Sequence, residues 1–210
     1  MRLAALTPGA HRVLSMAAAA LLAAVLVVAP AAMPFPIAAL IPQASADCPG
    51  VEVSFARGRE EPPGLGAVGD ALVNSLRGKT RMSVGAYGVN YPANITTISG
   101  ANDMSGHAQF MAKNCPNTRQ VLGGYSLGAE VVDRVSYGGL PPGVDQHVAA
   151  IAVFGNGTGV GPAFAGKTIE QCAAGDPICG RGRNWPSHLQ PSYIDSGLVD
   201  QAAGFVAGKL

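Results

Sequence analysis

Charge is scarce in this chain. Asp, Glu, Lys and Arg make up 13% of 210 residues and nearly cancel, to a formal +1. That excludes the dense basic stripe a nucleic-acid binder requires. Gly shows no three-residue period and no heptads recur, which excludes collagen-like and coiled-coil architectures. There is no P-loop, dinucleotide fingerprint or metal-ligand cluster, and no internal repeat. Aromatics are few, at 6%, but 48% of residues are hydrophobic. That is far too apolar for a disordered chain, so one globular domain with a sizeable core is expected.

Residues 1–46 stand apart from that domain. Arg2, His11 and Arg12 form a basic head, Val13 to Ala29 is an almost unbroken apolar run, and Ala44-Ser45-Ala46 precedes Asp47. These are the three parts of a secretory signal peptide. The competing reading is an uncleaved anchor, although 17 residues is the short limit for crossing a bilayer. Cleavage after Ala46 leaves 47–210, and removing two Arg makes its net charge −1. The expected location is extracellular, with retention at the cell wall an open alternative.

All four cysteines, Cys48, Cys115, Cys172 and Cys179, fall in 47–210. An even count in an exported chain reads as two disulfides, with three connectivities open. Zinc is the rival, but no C-x-x-C pair exists and the spacings of 67, 57 and 7 suit neither a finger nor a ribbon.

Periodicity gives alternating strands and helices. Strands are expected at 51–55, 82–89, 119–122, 147–154 and 168–171. Helices are expected at 69–77, 103–114, 127–135 and 196–210, the last as one element. That alternation means α/β with a mainly parallel sheet.

Gly124-Tyr125-Ser126-Leu127-Gly128 reads G-x-S-x-G, a weak motif by itself. Here it follows an expected strand and opens an expected helix, the context of a nucleophile elbow. The glycines permit a tight turn, and the helix N-terminus brings free N–H groups to a developing oxyanion. A serine hydroxyl needs a base, oriented by an acid, and in this fold they follow in the order Ser, Asp/Glu, His. Of the later histidines, His147 precedes a hydrophobic strand and reads as a strand-edge residue. His188 lies in a loop before the last helix and is the expected base. His107 precedes the serine and reads as solvated. Asp133 and Asp200 fall on helices and read as solvated charges. Asp176 lies between Cys172 and Cys179, where a closed loop would hold a carboxylate in register; Asp195 is second choice. Asn94-Ile95-Thr96 and Asn156-Gly157-Thr158 match the glycosylation pattern, and Trp185 either lines the site or simply packs.

Ala56-Arg57-Gly58 with a Gly-rich loop, the Gly123–Ala129 elbow, Cys172-x3-Asp176-Pro177-x-Cys179 and the late His188 together resemble the cutinase family, most closely its secreted actinobacterial esterases. The resemblance covers nearly all of 47–210. It implies a compact α/β-hydrolase without a large lid, disulfides Cys48–Cys115 and Cys172–Cys179, and hydrolysis of carboxylic esters. It also implies that Ser126 is the nucleophile, Asp176 the orienting acid and His188 the base, with the Arg59 and Leu127 N–H groups forming the oxyanion hole. Two positions depart from the family pattern. Arg59 stands where Ser or Thr is common, and Leu127 where Gln is common. Losing a hydroxyl donor at Arg59 costs on the order of 10²–10³ in rate, so modest activity is expected.

The expectation is therefore a secreted monomeric serine esterase acting on short- to medium-chain fatty acyl esters. No cofactor, metal or nucleic acid is expected, and contact with a lipid surface is transient. Two alternatives stay open: acyl transfer to a lipid or sugar alcohol, and an exported binding module with a weakened site.

Overall fold

The computed structural model describes residues 48–210, so the expected leader and its cleavage site lie outside the described residues. In these residues β1 (Val51–Ala56), β2 (Val84–Gly88), β3 (Arg119–Tyr125), β4 (Val148–Phe154) and β5 (Thr168–Gln171) form one sheet, ordered β2-β1-β3-β4-β5. Every pairing is parallel. The helices are α1 (Gly66–Arg77), α2 (Ile98–Asn114), α3 (Leu127–Arg134), α4 (Gln190–Ile194) and α5 (Leu198–Ala207).

Helices cover both faces, which is why β4 is a continuous run of buried apolar residues rather than an alternating one. On one face Val53, Phe55 and Ala152 pack with Leu72 of α1, Tyr193 of α4 and Val206 of α5. On the other, Leu122, Ile151 and Val153 pack with Met104 of α2 and Val131 of α3. The chain leaves β1 toward β2, then returns to place β3 on the other side of β1. In open α/β sheets that reversal opens a crevice beyond the carboxyl ends of the strands.

The five strands and the first three helices stand where periodicity puts them, with shifted ends. Helix α2 begins five residues earlier than expected, because Gly100 lets it close on α3. A Cβ there would lie 2.9 Å from Val131 Cγ2. The helix expected at 196–210 is α5, which starts at Leu198 after Gly197, whose φ is +81°, and α4 is an additional short helix before it.

Candidate active site

Ser126 alone makes the turn from β3 into α3, at φ 52° and ψ −117°. A non-glycine residue on that side of the map is strained and persists only where its surroundings fix it. Its N–H donates to the Phe154 carbonyl (2.8 Å) and its own carbonyl accepts from the Ala129 N–H (2.8 Å). The flanking glycines are required by close approach. A Cβ on Gly128 would lie 1.9 Å from the Ala56 oxygen, and one on Gly124 2.2 Å from the Gly128 oxygen.

His188 ends a short turn, Trp185–His188, and is buried. Its Nε2 lies 2.8 Å from Ser126 Oγ, and its Nδ1 lies 2.7 Å from Asp176 Oδ2. Asp176 is fully buried. Its Oδ1 accepts the Ile178 N–H (2.6 Å) and the Cys179 N–H (3.4 Å), and Oδ2 also accepts the Tyr193 hydroxyl. Burial by itself would push this carboxyl up. The hydrogen bonds from Tyr193, His188 and the Ile178 N–H outweigh burial and hold it below the ordinary carboxylate range. Disulfide Cys172–Cys179 closes the loop that carries Asp176, and Cys48–Cys115 ties the start of β1 to the end of α2. The sulfurs of Cys172 and Cys179 cluster with the Asp176 carboxylate. They are bonded to one another, so neither is a thiolate ligand.

Two tyrosines that sequence reasoning missed brace this arrangement. Tyr125 donates to the His188 backbone carbonyl, and its ring lies 5.7 Å from the imidazole. Tyr193 is wholly buried, edge-on to both Tyr125 and Phe154. Burial and the neighbouring Asp176 both raise its pKa, which keeps the hydroxyl a donor. The only signal in the sequence is its place five residues after His188. Tyr193→Phe is expected to lower kcat for ester hydrolysis roughly 10–100-fold with KM little changed, since a hydrogen bond to a charged group contributes about 1.5–3 kcal/mol. A variant that only destabilised the fold would lose activity in step with its folded fraction, which unfolding curves on the same sample report.

The loop after β1 is pinned from below. The buried Arg57 donates through Nε to the Glu61 carbonyl (2.7 Å) and through its guanidinium to the carbonyls of Tyr91 (2.7 Å) and Val89 (3.3 Å). Glu61 in turn accepts the Gly58 N–H (2.6 Å). Arg59 therefore sits in a held loop. It lines a groove of about 430 Å³ together with Ser126, Leu127 and His188. Trp185 lines that groove too, 5.1 Å from the His188 ring, while still 56% exposed.

Two expectations, for His107 and Asp133, need correction, and one matched glycosylation pattern falls on a buried residue. His107 is not a freely solvated side chain: its Nε2 lies 2.6 Å from Glu52 Oε1 and its ring stacks on Tyr87 at 3.6 Å. Asn156 matches a glycosylation pattern but is buried, donating to Asp133 Oδ1 (2.9 Å). Asp133 is not a solvated helix charge. It is 3% exposed, and its Oδ2 has no hydrogen-bond partner among the described residues. Burial pushes its carboxyl up to about 6, against the hydrogen bond from Asn156. A carboxyl raised on folding costs stability as pH climbs from its unfolded to its folded value. Asp133→Asn should therefore become progressively more stable than wild type between about pH 4 and pH 6, by about 2–3 kcal/mol in all. Denaturant unfolding across that range checks it. His147 lies in the turn before β4, at the opposite end of the strand from Ser126, and Asp195 and Asp200 are exposed.

The Cutinase family profile matches residues 47–210. The chain belongs to the cutinase family. Within and around that family it is 50% identical to the Mycobacterium tuberculosis protein named "Probable carboxylesterase Culp2", over 95% of this chain and 97% of the other. It is 48% identical to the "Phospholipase Culp4" of the same organism, over 96% and 93%. Among solved structures, a Trichoderma reesei cutinase in complex with a phosphonate inhibitor superposes with a TM-score of 0.64 at 31% identity, covering 77% of each chain. The fold is that of a cutinase-like α/β-hydrolase.

Proposed function

We propose that the chain is an exported serine esterase in which Ser126, His188 and Asp176 form the proton relay. The observation that carries this is the unbroken sequence of contacts from Ser126 Oγ to His188 Nε2 (2.8 Å) and from His188 Nδ1 to Asp176 Oδ2 (2.7 Å). Membership of the cutinase family and 50% identity to a protein named as a carboxylesterase support carboxylic ester hydrolysis. Ser126 attacks the ester carbonyl as His188 takes its proton. The oxyanion settles against the N–H of Leu127, in the first turn of α3, and the N–H of Arg59 across the groove. His188 returns the proton to the leaving alcohol, and water repeats the sequence on the acyl-enzyme. Asp176 fixes the imidazole with its proton on Nδ1, leaving Nε2 free to accept. The chemistry calls for no cofactor.

The substrates are esters of short- to medium-chain fatty acids, including acyl esters of lipids, for which the 48% identity to a protein named as a phospholipase is support. Export rests on the leader pattern, and the family match begins at residue 47, directly after Ala46. Hydrolysis of p-nitrophenyl acyl esters of increasing chain length tests the reading. Rates should be measurable for short and medium chains and should vanish in Ser126→Ala. A variant as fast as wild type would overturn it.

A further inference from the structure

A second cavity, of about 500 Å³, opens where β3 and β4 begin, at the end of the sheet opposite Ser126. Four basic side chains line it, each from a different place in the chain. Arg119 starts β3, His147 lies in the turn before β4, Lys167 in the turn before β5, and Lys209 beyond α5. No acidic side chain lines it. None of the four is ion-paired: the ion pairs among the described residues are Lys79–Asp200, His107–Glu52 and His188–Asp176. Asp145, two residues before His147, is exposed and turns its carboxylate to the Gly143 N–H (3.1 Å). Three fixed positive charges thus converge here, in a domain whose net charge is −1. The surroundings are held in place. Lys167 Nζ donates to the Val148 carbonyl (2.8 Å) and the Asp145 carbonyl (3.5 Å), which leaves one of its three donors for a ligand. Residues 115–118 on the rim are tied down by the Cys48–Cys115 disulfide and by Thr118 Oγ1, which donates to the Pro49 carbonyl (2.6 Å). Lys209 Nζ lies 5.1 Å from the Phe205 ring centroid. Asn117 and Gln146 add amide donors to the lining.

We propose that this cavity binds a phosphate-bearing anion, at a site separate from the catalytic groove. A cleft lined by charge of one sign focuses the field and concentrates ions of the other sign. The donors favour phosphate over a lone carboxylate. A guanidinium grips two oxygens of a tetrahedral oxyanion at once, and an ammonium serves as a point charge on a third. A carboxylate would offset one of the three charges, whereas a phosphate carrying two negative charges, or a chain of phosphates, offsets more. The cavity is also larger than one phosphate group fills, so the group arrives on a longer molecule. Occupation leaves the groove open, because Ser126 follows the far end of β3. The site does not depend on the esterase reading.

Proton–nitrogen correlation spectra of the labelled protein test this, with inorganic pyrophosphate, a linear polyphosphate or acetate added at constant ionic strength. The expected result is saturable shifts at the amides of Asn117, Arg119, His147 and Lys167 with both phosphates, and none with acetate. Arg119→Gln and Lys209→Gln should each weaken pyrophosphate binding roughly tenfold while the rate of ester hydrolysis stays at the wild-type value. Both side chains are exposed and make no ion pair among the described residues, so neither substitution removes a contact that holds the fold. Lys167→Gln is the riskier variant, since it frees the Val148 carbonyl. Tighter binding of polyphosphate assigns the site to a phosphate polymer, and equal binding to a small phosphate; either result supports it. No saturation, acetate binding as tight as pyrophosphate, shifts centred instead on Arg181 and Arg183, or indifference to both Gln substitutions would overturn the proposal.

Discussion

Ser126→Ala is expected to lower kcat/KM for a soluble p-nitrophenyl ester by on the order of 10⁶-fold, with His188→Ala costing about the same and the double variant little more. The size follows from the division of labour. In the proposed relay hydroxyl and imidazole act on one proton in one step, so removing either disables both. What rate survives comes from the groove and its N–H groups alone. The change should be chemical rather than structural. Among the described residues the only side-chain hydrogen bond of Ser126 is the one to His188, and the backbone bonds to Phe154 and Ala129 that hold the turn remain. Single-turnover kinetics with unfolding curves on the same samples check this. A loss of rate accompanied by a comparable loss of stability would mean that the serine holds the elbow together and does not react.

Asp176→Asn is expected to cost on the order of 10⁴ in kcat. The carboxylate accepts on both oxygens: from His188 and Tyr193 on Oδ2, and from the N–H groups of Ile178 and Cys179 on Oδ1. An amide has one oxygen to offer. If it faces the backbone pair, the NH2 confronts the imidazole and turns its tautomer around, so that Nε2 carries a proton and cannot take another. If it faces His188 and Tyr193, the NH2 opposes two N–H donors. The substitution also removes the charge that stabilises the imidazolium. The wild-type carboxylate, depressed below its ordinary range, stabilises the fold fully above its unfolded pKa. That contribution is lost only as pH falls through the lower folded value. Asp176→Asn should therefore flatten the acid side of the stability curve as well as the rate. Steady-state kinetics and acid unfolding of the variant check both.

The fold and the contacts among Ser126, His188 and Asp176 were legible where local chemistry and tertiary need coincide. Ser126 could be read because a strand, two glycines and a helix leave little else for G-x-S-x-G to be, and the bare-backbone contact of Gly128 with Ala56 is the reason those glycines are there. Asp176 could be read because the cysteines around it announce a closed loop. The roles of Asp133, which is buried, and of His107, which is partly buried, could not. A charged residue on a helix looks solvated until the element that covers it is known, and here the covering groups are Asn156 after β4, and Glu52 and Tyr87 on β1 and β2. Tyr193 was hidden for a related reason. A lone tyrosine after a loop carries no periodic or motif signal, and only the packing of α4 against the sheet brings its hydroxyl to Asp176.

The most direct test is covalent capture at the serine. A p-nitrophenyl alkylphosphonate should label the protein once per chain, on the peptide containing Ser126, with activity falling in step with incorporation. The same reagent should leave Ser126→Ala unmodified and react slowly with His188→Ala. Label on another residue, or full activity after stoichiometric labelling of Ser126, would contradict the assignment.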